Sequence, residues 1–396
     1  MALPEALEAL YARIPLGMRL GLDPMRAACA RTAHPERGLH VVHVAGTNGK
    51  GSVCAMVESI ARAARMRTGL YTSPHLCRFA ERIRIGGEPV TDLILADLFA
   101  RALDAGPDLS FFETATLAAF LAFRDARVDV AIVEVGLGGR LDATNVVPCP
   151  AAAAITRIAL DHTDRLGTTL IEIAREKAGI AKPGLDILVG QMPPEVRAAI
   201  DEVAASCGAT TTEVDPDIVL PSVGLEGAHQ RDNARIAAEL GERIGASRAA
   251  VDEGIRGVRW PGRLERIGDV LLDGAHNVDG AEALTAHVGT LGLPPDRVAL
   301  VFGALADKDW GPMLDTLAPI ASRRIYVPAF GASRAAADPG AMAARQPGTV
   351  CASVEEALET AASWDPSLTV VCGSLLTVGQ ARARLLGLPR DPPVAL

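Results

Sequence analysis

Short runs of aliphatic residues alternate with longer amphipathic stretches along most of this chain. The run Leu39–Ala45 predicts a buried strand, which leads through a glycine-rich stretch into a helix over Ser52–Ala64. The same patterns predict further strands and helices at Thr68–Thr72, Glu113–Arg124, Val128–Val135, Ala151–Ile158, Thr169–Ala181 and Asp186–Gly190. Strands that alternate with helices indicate a parallel sheet covered by helices, and therefore an α/β fold.

A second alternating series follows Pro261 and Gly262, neither of which continues a helix or a strand well. We therefore place a domain boundary near residue 263. The strands of a smaller, Rossmann-like sheet are expected at Val270–Leu272, Val298–Phe302, Arg324–Val327 and Leu368–Cys372. The length of 396 residues exceeds what one hydrophobic core usually organises, which agrees with two domains, 1–263 and 264–396.

The composition argues against nucleic acid and membrane partners. The net charge is −9, and the sequence contains no stripe of clustered Lys and Arg that would bind a phosphate backbone. No apolar run approaches the length of a membrane-spanning helix, and Met1–Ala12 lacks the basic and apolar regions of a signal peptide. We therefore expect a cytoplasmic protein.

The cysteines and lysines also carry information. Seven cysteines are scattered without the Cys-x-x-Cys spacing of a zinc site, so we expect them to be buried free thiols. The 39 cationic side chains include only four lysines, which are Lys50, Lys177, Lys182 and Lys308. Because the chain otherwise uses Arg, a Lys suggests a position that needs a compact ammonium or a reactive amine.

The stretch Gly46–Ser52 has the composition of a phosphate-binding loop. Backbone amides of a glycine-rich turn and the positive end of the following helix bind phosphate oxygens, while a Lys neutralises charge and a hydroxyl reaches Mg²⁺. The stretch departs from the G-x-x-x-x-G-K-[ST] pattern, because two residues separate Gly46 from Gly49 and Gly51 occupies the usual Ser/Thr position. Ser52 must then supply the hydroxyl. A glycine-rich turn alone is weak evidence, but its place between a predicted strand and a predicted helix favours phosphate binding.

The loop Gly-Thr-Asn-Gly-Lys-Gly-Ser resembles that of the folylpolyglutamate synthase and dihydrofolate synthase family, which is related to the Mur peptidoglycan ligases. Further stretches resemble the family in the same order, at Tyr71–Leu76, Phe112–Thr114, Glu134–Asn145, Asp161–His162, Glu176–Ile180, Asp273–Asn277 and Gly303–Asp309. The resemblance implies an ATP-binding domain like the central domain of Mur ligases over 1–263. It also implies a glutamate-ligase, Rossmann-like domain over 264–396.

The resemblance implies that one or two Mg²⁺ ions are held by Ser52, Ser73, Glu134 and His162. Mg²⁺ prefers hard oxygen ligands and usually keeps several waters. Glu134 ends an apolar strand, where a lone carboxylate would be costly unless a cation or a donor met it. His162, judged by its own chemistry, is more often a hydrogen-bonded structural residue, and only the matching context favours a ligand.

Lys177 lies near the C-terminal end of a predicted helix, where a cation is ordinarily favourable. In enzymes that this chain resembles, the corresponding lysine is carbamylated by CO₂, which turns an ammonium into an anionic oxygen ligand. Such a change requires a neutral amine and hence a depressed pKa. The resemblance implies a catalytic set that consists of Lys50, Glu134, His162 and Lys177.

The resemblance assigns ATP contacts to residues of both domains. They are Asn48, Gly49, Lys50, Gly51, Ser52, Asn233, Arg263, Asp273 and His276. For Arg263 a solvated linker charge is an equally good interpretation from the sequence alone. If both domains contribute, their closure should assemble the site and shield a reactive intermediate from water.

The resemblance places a pterin beside Ser110, Phe111, Phe112, Glu113, Leu141, Asp142 and Ala143. An aromatic ring can stack on a flat heterocycle, and Asp142 can accept hydrogen bonds from its amino and ring N–H groups. Two adjacent aromatic residues at a helix start are usually core, so we expect at most one of the two phenylalanines to face a ligand. Ser110 stands where the family commonly has Thr, and Val278 where many relatives have Pro.

The implied reaction transfers the γ-phosphoryl group of ATP to a substrate carboxylate, and the amine of L-glutamate then attacks the acyl phosphate. The acceptors would be dihydropteroate and reduced folates, and the enzyme a monomer. Two alternatives stay open, a Mur-type or other amide ligase with a different acceptor and a P-loop regulatory or transport ATPase. The run 141–145 resembles the folate branch rather than an amide ligase with a different acceptor. The C-terminal α/β domain and the Lys177 motif favour a ligase over a P-loop ATPase.

Overall fold

The structure is a computed structural model that describes residues 2–14, 21–330 and 334–391. The chain divides into two compact units. The first comprises Met1–Ser73, Ala80–Gly224 and Gln230–Arg259, and the second comprises Pro74–Phe79, Leu225–His229 and Trp260–Leu396. Two short segments of the second unit thus interrupt the first in sequence, and the single boundary at residue 263 stays a prediction. Within the described residues, no helix is long and apolar enough to cross a membrane.

An eight-stranded sheet covered by helices forms the first unit. Its strands are β1 (Val41–Ala45), β2 (Thr68–Tyr71), β3 (Ile83–Ile85), β4 (Glu88–Pro89), β5 (Val130–Glu134), β6 (Ala152–Ile155), β7 (Asp186–Val189) and β8 (Thr210–Glu213). The helices of this part of the chain are α1 (Leu3–Tyr11), α2 (Asp23–Arg31), α3 (Lys50–Ala63), α4 (Asp92–Ala105), α5 (Phe111–Ala126), α6 (Thr163–Leu166), α7 (Leu170–Ala178), α8 (Pro194–Ser206), α9 (His229–Arg243) and α10 (Arg248–Gly257). Short 3₁₀ helices span Phe79–Arg82 and Ala143–Val146.

The strands of this sheet lie in the order β4-β3-β2-β5-β1-β6-β7-β8. The six strands from β2 to β8 in this order are parallel, whereas β3 and β4 add an antiparallel edge. All five residues of β1 and of β5 are buried. Both strands are covered on two faces, and this explains why they read as continuous apolar runs. The predicted parallel sheet is confirmed, and the antiparallel edge was not predicted because its strands are only two and three residues long.

The second unit contains a six-stranded sheet in the order β13-β12-β11-β14-β10-β9. Its elements are β9 (Glu265–Ile267), β10 (Val270–Leu272), α11 (Val278–Thr290), β11 (Val298–Phe302), α12 (Trp310–Leu317), β12 (Arg323–Tyr326), α13 (Pro339–Arg345), β13 (Thr349–Val350), α14 (Val354–Ser363), β14 (Leu368–Cys372) and α15 (Leu375–Leu386). Short 3₁₀ helices span Pro295–Arg297 and Ala318–Ile320. Alternate residues of β11 enter two separate core clusters, so that the sheet has helices on both faces. Only β9 pairs antiparallel among the described strands of this sheet.

Two expectations from the sequence need correction. The predicted helix that starts at Ser52 begins instead at Lys50, because Gly49 turns the chain with a left-handed φ of 91°. The thiols of Cys149 and Cys207 are not buried, since Cys149 is exposed and Cys207 is partly exposed. Cys149 lies in the loop that precedes β6, and Cys207 follows the end of α8, so both sit where the chain reaches solvent. The other five cysteines are buried, and all seven are free.

Helices α3 and α10 pack closely because a glycine lies at their contact. A Cβ placed on Gly254 would lie 2.4 Å from Cα of Ile60 and 2.5 Å from its backbone nitrogen. Backbone atoms cannot move aside as a flexible side chain can, so only glycine fits here. By contrast, a Cβ placed on Gly257 at the end of α10 would meet nothing within 4 Å.

Gly254→Ala should therefore lower the free energy of unfolding by about 1–3 kcal/mol, because overpacking outweighs the helix propensity that Ala adds. Urea denaturation measures the change. The matched control is Gly257→Ala, which we expect to leave stability unchanged or slightly increased. Equal effects of the two substitutions would contradict the close helix contact.

Candidate functional site

Four parallel strands end at one edge of the first sheet, and each end leads to a predicted site residue. The loop Gly46–Ser52 follows β1, Glu134 closes β5, Ser73 follows β2 and His162 follows β6. Strands β5 and β6 flank β1, and β2 lies beyond β5. Because the carboxyl ends of parallel strands meet at the same edge, this topology gathers the loop and three candidate metal ligands there.

Two glycines give the loop its shape. Gly46 and Gly49 have φ values of 145° and 91°, which side chains rarely tolerate. A Cβ on Gly46 would lie 1.8 Å from Oγ1 of Thr156, and a Cβ on Gly49 would lie 2.3 Å from Oδ1 of Asn233. Asn233 therefore lies directly against the loop. Its role as an ATP contact stays a prediction, but its position is the one that such a role requires.

Hydrogen bonds from the segment after β6 hold the loop in place. The backbone N–H of Thr47 donates to the carbonyl oxygen of Arg157 over 2.8 Å. Oγ1 of Thr47 donates to the carbonyl oxygen of Ala159 over 3.1 Å, and Oγ1 of Thr156 donates to that of Asn48 over 2.7 Å. Thr47 lies within the predicted loop, whereas Thr156 was not predicted as its partner. The available signal was a polar residue, Thr156, directly after an alanine-rich strand.

The first turn of α3 supplies positive potential to the loop. Gly51 and Ser52 are buried in this turn, whose N–H groups have no partners within the helix. The helix dipole adds to this potential. Nζ of Lys50 donates to the carbonyl oxygen of Thr47 over 3.0 Å, so the ammonium group lies beside the loop. The arrangement suits the binding of a phosphate group.

The candidate metal ligands fit a hard cation. Glu134 is only 5% exposed, and its Oε2 accepts a hydrogen bond from the backbone N–H of Ser73 over 3.0 Å. Ser52 is buried as well. Two hydroxyls and one buried carboxylate are donors that Mg²⁺ prefers, and a nearby cation would offset the cost of burying the carboxylate.

His162 is more exposed than the candidate ligands Ser52 and Glu134. Its side chain is 32% exposed, its φ is 50°, and its Nε2 lies 4.0 Å from Oδ1 of Asp161. No group of three or more His, Cys, Asp and Glu residues that could hold a metal is found in the described parts of the chain. Mg²⁺ bound with a nucleotide ordinarily completes its coordination with phosphate oxygens and water.

Lys177 is buried, and its side chain reaches the phosphate loop. It lies next to the last residue of α7, as predicted, and its Nζ donates to the carbonyl oxygen of Gly46 over 2.8 Å. Burial, together with the nearby charge of Lys50, lowers the pKa of Lys177 to about 7, although Asp161 and Asp142 act in the opposite direction. A substantial fraction of this amine is therefore neutral near pH 7.

Two of the predicted pterin residues, Ser110 and Glu113, cap the N-terminus of α5. The backbone N–H and Oγ of Ser110 donate to Oε2 of Glu113 over 2.8 and 2.6 Å, and Oγ of Ser110 accepts from the N–H of Glu113. This capping box explains both residues without a ligand. Phe111 is buried with its ring 6.0 Å from that of Tyr11, whereas Phe112 is partly exposed. Of the two rings, Phe112 is therefore the one that a ligand can reach.

The other predicted pterin residues lie in the turn that begins the 3₁₀ helix Ala143–Val146. Oδ1 of Asp142 accepts from the backbone N–H and from Oγ1 of Thr144 over 3.0 and 2.5 Å, and Oδ2 accepts from the N–H of Leu137 over 2.9 Å. Burial raises the pKa of Asp142, while these hydrogen bonds lower it. Leu141 is partly exposed and Ala143 is buried.

In the second unit, three predicted ATP-binding residues lie close together. Asp273 follows β10, and its Oδ2 accepts from the backbone N–H of Leu264 over 3.0 Å. Nδ1 of His276 lies 2.8 Å from the carbonyl oxygen of Gly274, so Nδ1 carries a hydrogen. A Cβ placed on Gly274 would lie 2.6 Å from Nη1 of Arg263. Arg263 therefore packs against the turn that joins Asp273 to His276.

Two models of known protein families together match most of the chain. The model of the Mur ligase middle domain matches residues 44–192, and the model of the Mur ligase, glutamate ligase domain matches residues 262–375. The first match includes the phosphate loop, Glu134 and Lys177. The second includes Arg263, Asp273 and His276.

Whole proteins match as well. The chain is 35% identical to the dihydrofolate synthase/folylpolyglutamate synthase of Bacillus subtilis, and the match covers 84% of this chain and 86% of the relative. Its structure is similar to that of Escherichia coli FolC in complex with DHPP and ADP, with a TM-score of 0.89 and 33% identity over 97% of this chain and 98% of the other. It is also similar to a bifunctional folylpolyglutamate synthase/dihydrofolate synthase with Mn, AMPPNP and L-glutamate bound, with a TM-score of 0.85 and 32% identity over 97% and 98% of the two chains.

The depressed pKa of Lys177 predicts a pH-dependent stability. Between about pH 7 and the ordinary lysine value of 10.5, the folded chain has lost a proton that the unfolded chain keeps, so the free energy of unfolding rises with pH. Below about pH 7 both states hold the proton, and a cost on the order of 5 kcal/mol remains. We expect Lys177→Met to be more stable than the parent protein at neutral pH, and this difference to shrink as the pH rises.

Urea unfolding in CO₂-free buffer measures this difference. Lys308→Met removes the same charge from the second unit and serves as the control. A difference for Lys177→Met that depends on pH no more than that of Lys308→Met would show that burial does not shift the pKa of Lys177.

Proposed function

The chain belongs to the folylpolyglutamate synthase and dihydrofolate synthase family of Mur ligases, and we infer from this membership that it uses ATP to join L-glutamate to folates. One observation carries the inference within the structure. The phosphate loop, the carboxylate of Glu134 and the amine of Lys177 converge at a single edge of the first sheet. Such a site suits phosphoryl transfer, in which positioning and charge neutralisation provide most of the catalysis.

We propose that the protein has both activities of its bifunctional relatives. It would add glutamate to dihydropteroate, which forms dihydrofolate, and add further glutamates to reduced folates. In each case a carboxylate oxygen of the acceptor attacks the γ-phosphorus of ATP, and ADP leaves. The amine of glutamate then attacks the acyl carbon, phosphate leaves, and the nitrogen loses a proton. Both steps conserve atoms and charge without a redox partner.

We propose that the residues of the loop bind the phosphates of ATP. The N–H groups at the start of α3 and the side chain of Lys50, which donates to the carbonyl oxygen of Thr47, support the binding of such an anion. Asn233 lies against the same loop, which supports its contact with the nucleotide. The proposed ATP-binding residues are Asn48, Gly49, Lys50, Gly51, Ser52 and Asn233, together with Arg263, Asp273 and His276 of the second unit.

The relatives that bind a nucleotide with Mn support a requirement for a divalent cation. We propose that one or two Mg²⁺ ions are held by Ser52, Ser73, Glu134 and His162. A bound ion would neutralise charge on the phosphate oxygens. The burial of Glu134 and its hydrogen bond from the Ser73 backbone fix the carboxylate beside the loop.

We propose that the acceptor lies beside Phe112 and the turn that contains Leu141, Asp142 and Ala143. The partial exposure of Phe112 supports stacking on a flat ring. Ser110, Phe111 and Glu113 would support this surface from below, because they cap α5 or fill the core.

The net charge of −9 supports the absence of a nucleic acid partner, and we also propose a monomer that acts in the cytoplasm.

We propose that Lys177 is carbamylated. Its amine is buried and has a pKa near 7, so the neutral form that attacks CO₂ is populated at neutral pH. The nitrogen would form a bond to the carbon of CO₂ and release one proton. The resulting carbamate would place an anion where the ammonium now lies, beside the carbonyl oxygen of Gly46.

Phosphate release by the purified protein tests the function. With ATP, Mg²⁺ and L-glutamate, we expect release to depend on dihydropteroate or on tetrahydrofolate, and Lys50→Met to reduce it by about 100-fold or more. Stimulation by only one acceptor would limit the protein to one of the two activities. Release that needs neither glutamate nor an acceptor would favour a P-loop ATPase, and the lack of stimulation by both pterins would favour a Mur-type ligase with another acceptor.

Carbamylation can be measured separately. After incubation with ¹³C-labelled bicarbonate, the parent protein should show a carbamate carbon signal in NMR spectra that is absent from Lys177→Ala. Turnover should fall in CO₂-free buffer and recover with bicarbonate, and Lys177→Ala should lose about 100-fold in activity without such recovery. The control Lys182→Ala should keep its response to bicarbonate. A carbamate signal of equal size in Lys177→Ala would assign the modification to another residue.

A further inference from the structure

A chain of hydrogen bonds connects the centre of β1 to the turn proposed to contact the acceptor. Nε2 of His43 lies 2.8 Å from Oγ1 of Thr144, and the same oxygen lies 2.5 Å from Oδ1 of Asp142. His43 and Thr144 are fully buried, and Asp142 is 6% exposed. The strand that leads into the phosphate loop is thus joined to a residue 101 positions away in sequence.

The positions of the protons follow from the acceptors. Oδ1 of Asp142 also accepts the backbone N–H of Thr144, so the hydroxyl of Thr144 donates its only hydrogen to that carboxylate. The oxygen of the same hydroxyl must then accept a hydrogen from Nε2 of His43. Burial, together with the nearby charge of Lys182, lowers the pKa of His43 to about 3, so the ring is neutral and carries this single hydrogen. Nδ1 is left without a hydrogen.

The stability of the fold does not explain the presence of His43. Its Nδ1 is buried and has no hydrogen-bond partner in the described residues. A buried acceptor without a donor is destabilising relative to an apolar side chain of similar size. The neighbours of His43 in the sheet, Val133 and Ala153, are apolar, so a Leu at this position would suit the core better. The bond from Nε2 to Thr144 is the contribution that an apolar residue cannot make.

We propose that His43 and Thr144 are positioning residues that hold the carboxylate of Asp142 in the orientation that accepts the N–H groups of the pterin ring. This inference rests on the proposed function, since it assumes that Asp142 contacts the acceptor. The N–H of His43 polarises the hydroxyl of Thr144 and strengthens its hydrogen bond to Asp142. The backbone N–H groups of Leu137 and Thr144 also donate to the carboxylate of Asp142. Loss of the hydrogen bonds from His43 and the Thr144 hydroxyl should therefore misalign this carboxylate without unfolding the turn.

Steady-state kinetics with dihydropteroate, ATP and L-glutamate test the proposal. For His43→Leu we expect the KM for dihydropteroate to rise about tenfold, the loss that one hydrogen bond of this kind represents. The KM values for ATP and glutamate should stay within a factor of about two, and Tm should be unchanged or higher. His43→Gln keeps an N–H near the position of Nε2 and should restore much of the affinity for the acceptor.

Thr144 provides an independent arm of the test. Thr144→Ser retains the hydroxyl and should resemble the parent protein, whereas Thr144→Val should raise the KM for dihydropteroate as much as His43→Leu does. Because both substitutions interrupt the same series of hydrogen bonds, the KM for dihydropteroate of the double variant should be no higher than that of either single variant. It also removes both partners of the lost bond, so a low Tm in Thr144→Val alone should recover in the double variant.

Three results would overturn the proposal. A lower Tm for His43→Leu with an unchanged KM for dihydropteroate would make His43 a structural residue. An equal rise in the KM for ATP would place its effect at the phosphate loop, and additive effects in the double variant would show two independent contacts. A parent protein that ligates glutamate to no pterin would instead refute the proposed function, so the two failures can be told apart before any variant is made.

Discussion

The site depends on one constraint, which is that the backbone of a short glycine loop must keep a conformation that only its neighbours can stabilise. The loop leaves β1 with positive φ values at Gly46 and Gly49. Thr47 and Thr156 bind it to the segment after β6, and Lys177 binds the carbonyl oxygen of Gly46 from another helix. The strand order puts β5 and β6 on either side of β1. The segments that follow these strands can therefore reach the loop and hold its backbone.

The same edge gathers ionisable groups away from water. Glu134, Asp142 and Lys177 are each less than a tenth exposed, and each has a hydrogen bond to the backbone or to a hydroxyl. In such surroundings the balance between charged and neutral forms depends on a few nearby dipoles and charges rather than on bulk solvent. Lys177 shows this dependence, because the nearby charge of Asp142 raises its pKa while burial lowers it.

The sequence predicted the features that have a local cause. Aliphatic runs identified β1, β5, β6 and β7, and the glycines with Lys50 identified the phosphate loop, because the period of the pattern and the demands of backbone geometry are local. The edge strands β3 and β4 escaped prediction, since two or three residues are too few to show a period. The exposure of Cys149 could not be read from its residue type either, as it depends on how the chain enters β6.

Direct contacts between residues far apart in sequence could not be predicted from local patterns. Nothing local to His43 indicates Thr144 as its partner, and Asn233 meets Gly49 only because α9 packs against the loop. Family resemblance identified site residues but could not separate those that face a ligand from those that support them. Phe111 and Phe112 illustrate the difference, because the register of α5 buries one ring and leaves the other partly exposed.

The hydrogen bonds that hold the phosphate loop also have a consequence for the thermodynamics of nucleotide binding. A loop that is ordered before the ligand arrives loses little conformational entropy on binding, so more of the enthalpy gained from phosphate contacts remains as affinity. Association then needs no slow folding of the loop, and the encounter rate is governed by diffusion and by the field of the exposed cations. The residence time of the nucleotide, rather than its rate of entry, would set the differences in affinity between variants of this loop.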